Sequence, residues 1–265
     1  MAMRNATAVL LASLLPLAAA HAGDQEDFRH EADLLRASLQ AKAGPTDADV
    51  GDADSFGKNV KWLGLLQTGS ISLQPDCTPV PGDPPPGPDD RCVTLNPAPA
   101  VTTFDLPDIG RIKLPARASA SLLCHWLSPI AFYNMQNTTG VFQPNASFRL
   151  SPYIVVENPV LADPSLIDPG TGLPFGGRWE TGFAATYQDS NSMQPGERQS
   201  RRWSESRTCI AGFVSKRNLV EGLGLTEAQA RNFFRSEMTL RFGLRGSASL
   251  VTSASVIYGL RVMGD

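Results

Sequence analysis

The sequence predicts a mainly β fold, an antiparallel β-sandwich or jelly-roll-like domain with an N-terminal helix and one short internal helix. Three observations predict it. From Val101 onward, short apolar runs alternate with Gly, Pro and Asp turn signals. Several of these runs alternate apolar and polar residues with the period of two that a half-buried strand requires. Only one internal segment carries a strong helix-start signal, at Thr226-Glu227-Ala228-Gln229. There the Thr hydroxyl and the Gln side chain can satisfy backbone donors reciprocally in a capping box, and the helix is expected to run to about Arg235.

The amino-terminal residues read as an export signal. Arg4 precedes an uncharged apolar run from Ala6 to Ala20, and Ala20-His21-Ala22 is a small-x-small exit before Gly23. The apolar core is shorter than the roughly 20 residues that span a bilayer, so residues 1–22 are expected to be a cleaved secretory signal. No later stretch is apolar and long enough for a transmembrane helix. The expected location is exported, periplasmic or extracellular.

Residues 23–55 are expected to form a helix and an acidic linker, and residues 56–265 a single β-rich domain. From Asp24 to Lys42, Phe28, Ala32, Leu35 and Leu39 fall on one narrow helical stripe, and Gly44-Pro45 ends it. Such a helix either docks on the main domain or serves assembly, and docking is favoured. Thr46 to Ser55 is small and acidic. Val60–Leu66 and Ser70–Leu73 read as strands, and Pro75–Asp90 as a surface loop carrying seven prolines. Two apolar runs, Ser119–Leu127 and Ile130–Tyr133, are followed by Ser147–Leu150 and Tyr153–Val156. Asn158–Gly177, rich in Pro, Gly and Asp, reads as a long ordered loop or a linker. Trp179 to Tyr187 alternates as one strand, as do Met238 to Leu244 and Val256 to Val262.

The chain carries 23 basic and 26 acidic residues. The charge is unevenly spread: residues 23–110 hold 6 basic and 15 acidic side chains, residues 111–265 hold 16 and 11. The two parts are expected to neutralise one another on packing. Neither composition nor distribution suits a nucleic-acid binder.

Four cysteines, Cys77, Cys92, Cys124 and Cys209, favour two disulfides in an exported chain. The favoured pairing is Cys77–Cys92, which brackets the Pro-rich loop, with Cys124–Cys209 joining two strand-like segments. A loop as short as the first contributes roughly 3 kcal/mol on the chain-entropy model. The spacings match no zinc pattern, and no metal or cofactor is expected.

Candidate catalytic groups are few. Apart from His21 in the leader, the histidines are His30 and His125, and there is no G-x-S-x-G elbow. The acidic run Asp47, Asp49, Asp52, Asp54 offers oxygen donors, but Lys58 stands where a calcium loop needs its bidentate Glu. Glu157, Glu180 and Glu205 form the pool for a carboxylate pair. The most distinctive binding patch is Arg198, Arg201, Arg202 and Arg207 around Trp203, because guanidinium forks match anionic groups and an indole adds a stacking surface. The sequons at Asn137 and Asn145 are taken as chance matches. The expected function is a non-enzymatic structural or binding protein of the envelope or extracellular space, with an anionic polysaccharide or envelope protein as partner. The alternative is a carbohydrate-active hydrolase using paired carboxylates. Intact mass of the exported protein is expected to begin at Gly23, and thiol titration of the native protein to find no free sulfhydryl.

Overall fold

One long strand at the centre of each of two sheets carries proline at a position that would ordinarily end a strand. The computed structural model describes residues 61–67, 70–79, 85–87, 90–183, 185–209 and 212–264. The expected signal, N-terminal helix and acidic linker lie outside these residues.

The first sheet is built on β5 (Leu122–Gln136) and β13 (Val251–Gly264), paired antiparallel along nearly their whole length. On its other edge β13 pairs with β1 (Lys61–Gln67) and then β2 (Ile71–Gln74). On its other edge β5 pairs in turn with β9 (Arg198–Ser204), β10 (Arg207–Thr208) and β11 (Val214–Ser215). The second sheet is built on β6 (Gln143–Glu157) and β12 (Met238–Ser249). There β4 (Thr102–Leu114) flanks β12, while β7 (Arg178–Gly182) and β8 (Tyr187–Met193) flank β6.

The sequence reading breaks β5 and β6 at their prolines, but both strands run through. Pro129 O accepts from Glu205 N at 3.1 Å, and Pro152 O accepts from Phe183 N at 3.4 Å. A residue's N and O point to the same side of an extended strand, so each missing N–H faces the outer partner and the central pairing is spared. At both points that outer partner changes. It passes from β9 to β10 beside Pro129, and from β8 to β7 beside Pro152. This switch also corrects the single strand expected over Trp179–Tyr187, which is divided between β7 and β8. The burial rhythm nevertheless persists across the gap: Trp179, Phe183 and Ala185 are buried, Glu180 and Thr186 exposed.

Cys77 is joined to Cys92 and Cys124 to Cys209, the favoured pairing. β3 (Arg91–Thr94), which holds Cys92, lies parallel to β2. A parallel pair needs a crossover of a dozen or more residues, and the Pro-rich segment supplies it. Its ends are held by the disulfide and by Asp90, whose carboxylate accepts from Ser70 N (2.8 Å) and Gly87 N (2.6 Å).

The inner faces meet in one core. Tyr133 lies 4.6 Å from Phe148, and Phe242 5.2 Å from Tyr258, ring centre to ring centre. Two helices close one end, not the single one expected: α1 (Lys216–Glu221) and α2 (Glu227–Arg235). The missed α1 has only six residues, and its start is signalled by Ser215 Oγ alone, which accepts from Asn218 N. The capping box of α2 is formed as expected, with Thr226 N donating to Gln229 Oε1 at 2.8 Å and Gln229 N to Thr226 Oγ1 at 3.2 Å.

Tyr153 lies on the outer face of the second sheet, its ring over Gly243. A Cβ at Gly243 would stand 2.3 Å from Tyr153 Cζ. Gly243→Ala is therefore expected to destabilise the fold by about 1–3 kcal/mol through overpacking, read as a lower thermal or denaturant midpoint.

Candidate functional site

Strand alternation divides the predicted Arg–Trp patch. Arg201 and Trp203 share one face of β9, Arg198 and Arg202 the other, and Arg207 sits beyond them on β10. Trp203 turns inward and stacks on Tyr187 of β8 at 4.4 Å, so the indole closes a seam between the sheets. In the same seam the Tyr133 hydroxyl donates to Asp189 Oδ2 at 2.5 Å and lies 2.5 Å from the Tyr187 hydroxyl. Burial, followed by these two hydrogen bonds, pushes the Tyr133 phenol well above its ordinary range. Arg201 Nε stands 3.9 Å from Asp189 Oδ2, and its Nη2 donates to Gln199 Oε1. Arg207 pairs with Glu205. On the opposite face Arg202 places its guanidinium 5.2 Å from the centre of the Phe132 ring.

The glutamates proposed for hydrolysis are engaged with arginine. Glu157 Oε1 accepts from Arg241 Nε at 2.6 Å, and Arg241 Nη1 also reaches Asp108 at 2.8 Å. Glu180 accepts from both Nη atoms of Arg245, while Arg245 Nε donates to Asp105 at 2.9 Å. The Tyr153 hydroxyl donates to Asp105 as well, at 2.6 Å, and Arg245 lies 4.1 Å above the Tyr153 ring. Burial of Asp105 opposes ionisation, but the Tyr153 hydroxyl and Arg245 outweigh it and hold its pKa below the usual value. The hydrogen bonds that Arg245 donates to Glu180 and then to Asp105 raise its pKa above the ordinary arginine value. These are two bridged networks on the outer face of the second sheet.

His125 is 6% exposed and stands edge-on to Phe183 at 4.5 Å and to Phe213 at 5.4 Å. Burial lowers its pKa to about 4, so it is neutral at pH 7. Its Nδ1 is buried without a hydrogen-bond partner. His30 and the acidic run Asp47–Asp54 lie outside the described residues. Among the described residues no group of three or more His, Cys, Asp or Glu side chains could hold a metal. Asn137, the first sequon, is fully buried and donates to Val141 O and Met193 O while accepting from Thr139; Asn145 is exposed.

Two concave sites lie at opposite ends of the strands, and sequence reasoning found neither. One, of about 260 Å³, is formed by Glu157, Asn158, Glu237 and Thr239 near the helices. The other, about 220 Å³, has an apolar floor of Leu95, Ala248 and Leu250 and a rim of Asn96, Gln136, Thr138 and Thr252. Among the described residues, no lining side chain of the second is ionisable. Leu250 holds a left-handed φ of 59° at the β12–β13 turn, a conformation usually given to Gly or Asn. The residues come from four separate loops and strand ends, so no local motif in the chain announces them.

No family model matches the sequence, and no curated protein matches it. Among solved structures the chain is similar to that of the infectious bursal disease virus Gx strain, at 10% identity and a TM-score of 0.26, over 78% of this chain and 33% of that one. It is also similar to the T=1 particles derived from infectious bursal virus, at 11% identity and a TM-score of 0.23, over 78% and 32%. The chain spans about a third of the length of those proteins, and likeness at this level carries no argument about fold or activity.

The His125 shift has a signed consequence. Its folded pKa lies below the unfolded 6.5, so its neutral burial favours folding fully above pH 6.5. That contribution, roughly 3 kcal/mol, is lost as pH falls from 6.5 toward 4. His125→Phe is expected to flatten this acid limb in denaturant titrations between pH 7 and 4.5.

Proposed function

We propose that the chain is an exported, non-enzymatic structural or binding protein of the cell envelope or extracellular space. Residues 1–22 are its leader, residues 23–55 a helix with an acidic linker, and residues 56–265 one domain of β-sandwich or jelly-roll type. The observation that carries the reading is the engagement of its acid–base groups in structural contacts. Glu157, Glu180 and Glu205 are each paired with arginine, and His125 is sealed between phenylalanines. A general acid must be within hydrogen-bond reach of the substrate, and these carboxylates are directed at the guanidinium beside them instead. Two disulfides in the described residues fit an oxidising compartment. No helix among those residues is long and apolar enough to cross a membrane.

The partner in this reading is an anionic envelope polysaccharide or an envelope protein, met through the arginines of β9 and β10. The test incubates the purified exported protein with labelled envelope polysaccharides and follows both retention and chain length. Retention without cleavage, weakened by Arg201→Glu together with Arg207→Glu, is the expected result. Cleavage of any of these polymers that is abolished by substituting one carboxylate would overturn the reading.

A further inference from the structure

The cavity of about 220 Å³ at the β12–β13 turn joins an apolar floor to a rim of uncharged polar groups whose hydrogen-bonding capacity is only partly used. Leu95, Ala248 and Leu250 form the floor. The Leu250 carbonyl accepts from Gln136 N at 2.9 Å, which fastens the turn to the end of β5. Its left-handed φ ordinarily favours Gly or Asn, yet the position carries a leucine, 4% exposed, whose side chain completes the floor. On the rim, Asn96 is fixed by two bonds. Its N donates to Thr102 Oγ1 at 2.7 Å and its Nδ2 to Val101 O at 2.9 Å, which leaves Oδ1 as an acceptor. In the orientation that suits its neighbours, Gln136 Oε1 accepts from Arg198 Nε at 3.0 Å and Nη2 at 3.1 Å, which leaves its NH2 as a donor. Thr252 Oγ1 donates to Asn134 O at 3.3 Å and can still accept. The Thr138 hydroxyl is engaged by no described residue.

These properties narrow what the cavity accepts. A charged group would meet no opposite charge in the described lining, so the loss of its water would go uncompensated. A purely hydrocarbon group would cover the floor but take water from the rim without replacing its hydrogen bonds. The volume is below the roughly 300–1,000 Å³ of sites for drug-sized ligands, so it holds one ring and not an oligomer. We propose that this cavity binds one uncharged sugar ring, its C–H face on Leu95, Ala248 and Leu250 and its hydroxyls on Asn96, Gln136, Thr138 and Thr252. A pyranose combines an apolar face with hydroxyls that both donate and accept. The rim answers with acceptors at Asn96 and Thr252, a donor at Gln136 and a hydroxyl of either kind at Thr138. This site takes a neutral ligand, so it stands apart from the arginine surface of β9 and β10 and does not depend on what that surface meets.

The experiment uses the full exported chain and saturation-transfer difference NMR with the methyl glycosides of glucose, galactose, mannose and N-acetylglucosamine. Methyl glucuronide serves as the charged probe and N-acetyl-leucinamide as the probe for an apolar side chain. At least one uncharged glycoside is expected to bind, with transfer strongest at its ring C–H protons, and neither control is expected to displace it. Thr138→Val removes a hydroxyl at constant shape and should weaken that glycoside about fivefold, the effect of one neutral hydrogen bond. Ala100→Trp, at an exposed position of the lining, should abolish binding. Far-ultraviolet circular dichroism checks the fold of both variants. Arg201→Glu with Arg207→Glu should leave the glycoside signal unchanged, which separates this site from the arginine surface. No signal from any of the four glycosides, a signal weakened by neither Thr138→Val nor Ala100→Trp, or displacement by methyl glucuronide or N-acetyl-leucinamide would each overturn the proposal.

Discussion

Each sheet is organised by one long antiparallel pair, β5 with β13 and β6 with β12, and the register of these pairs determines everything attached to them. Side chains alternate with period two, so a slip of one residue would send Tyr133, Phe148, Phe242 and Tyr258 out of the shared core together. Register also explains how proline is tolerated. Pro129 and Pro152 turn their missing donors toward short, replaceable outer strands and leave the long central ladders whole. On β4, an edge strand, Pro107 falls within the register shift opposite Gly243, where pairing is already interrupted. Conformational constraint is thus placed where few hydrogen bonds depend on it.

The charges on the second sheet follow from the same geometry. Arg241 and Arg245 project from alternate outward positions of β12, each between carboxylates supplied by β4 on one side and by β6 or β7 on the other. Exposed pairs contribute little singly, but cross-strand networks with forked guanidinium contacts resist register slip as well as adding stability. Glu157 and Glu180, both in the expected carboxylate pool, are each held laterally by an arginine of β12.

Local chemistry was legible in the chain, while relations between distant segments were not. The capping box at Thr226 and Gln229 is complete within four residues, so α2 could be read directly. The pairing of the cysteines followed from which loop each bracketed. By contrast, proline reads as a strand end only if its missing donor faces the partner that matters, and that depends on neighbours remote in sequence. The Arg–Trp patch is divided between two faces for a related reason. Contiguity in a strand places Arg201 and Trp203 opposite Arg198 and Arg202, and the stacking of Trp203 on Tyr187 requires a strand from the other sheet. The 220 Å³ cavity is still less visible, since its floor and rim assemble from residues 75 to 252.

The difference between the sheets reaches down to their residue patterns. Strict alternation on β12 needs only one buried face, and the outward positions there can carry the arginines that bridge its neighbours. On β5 and β13 the outward positions hold Phe132, Ile257 and Met263, whose exposure would cost on the order of 1.5–3 kcal/mol each. All three are buried, at 3%, 3% and 1% exposure. The seam closed by Trp203 and Tyr187 joins the two sheets, whereas Arg198 and Arg202 lie on the reverse of β9. The same seven-residue strand therefore presents Trp203 to the seam and arginines to both of its faces.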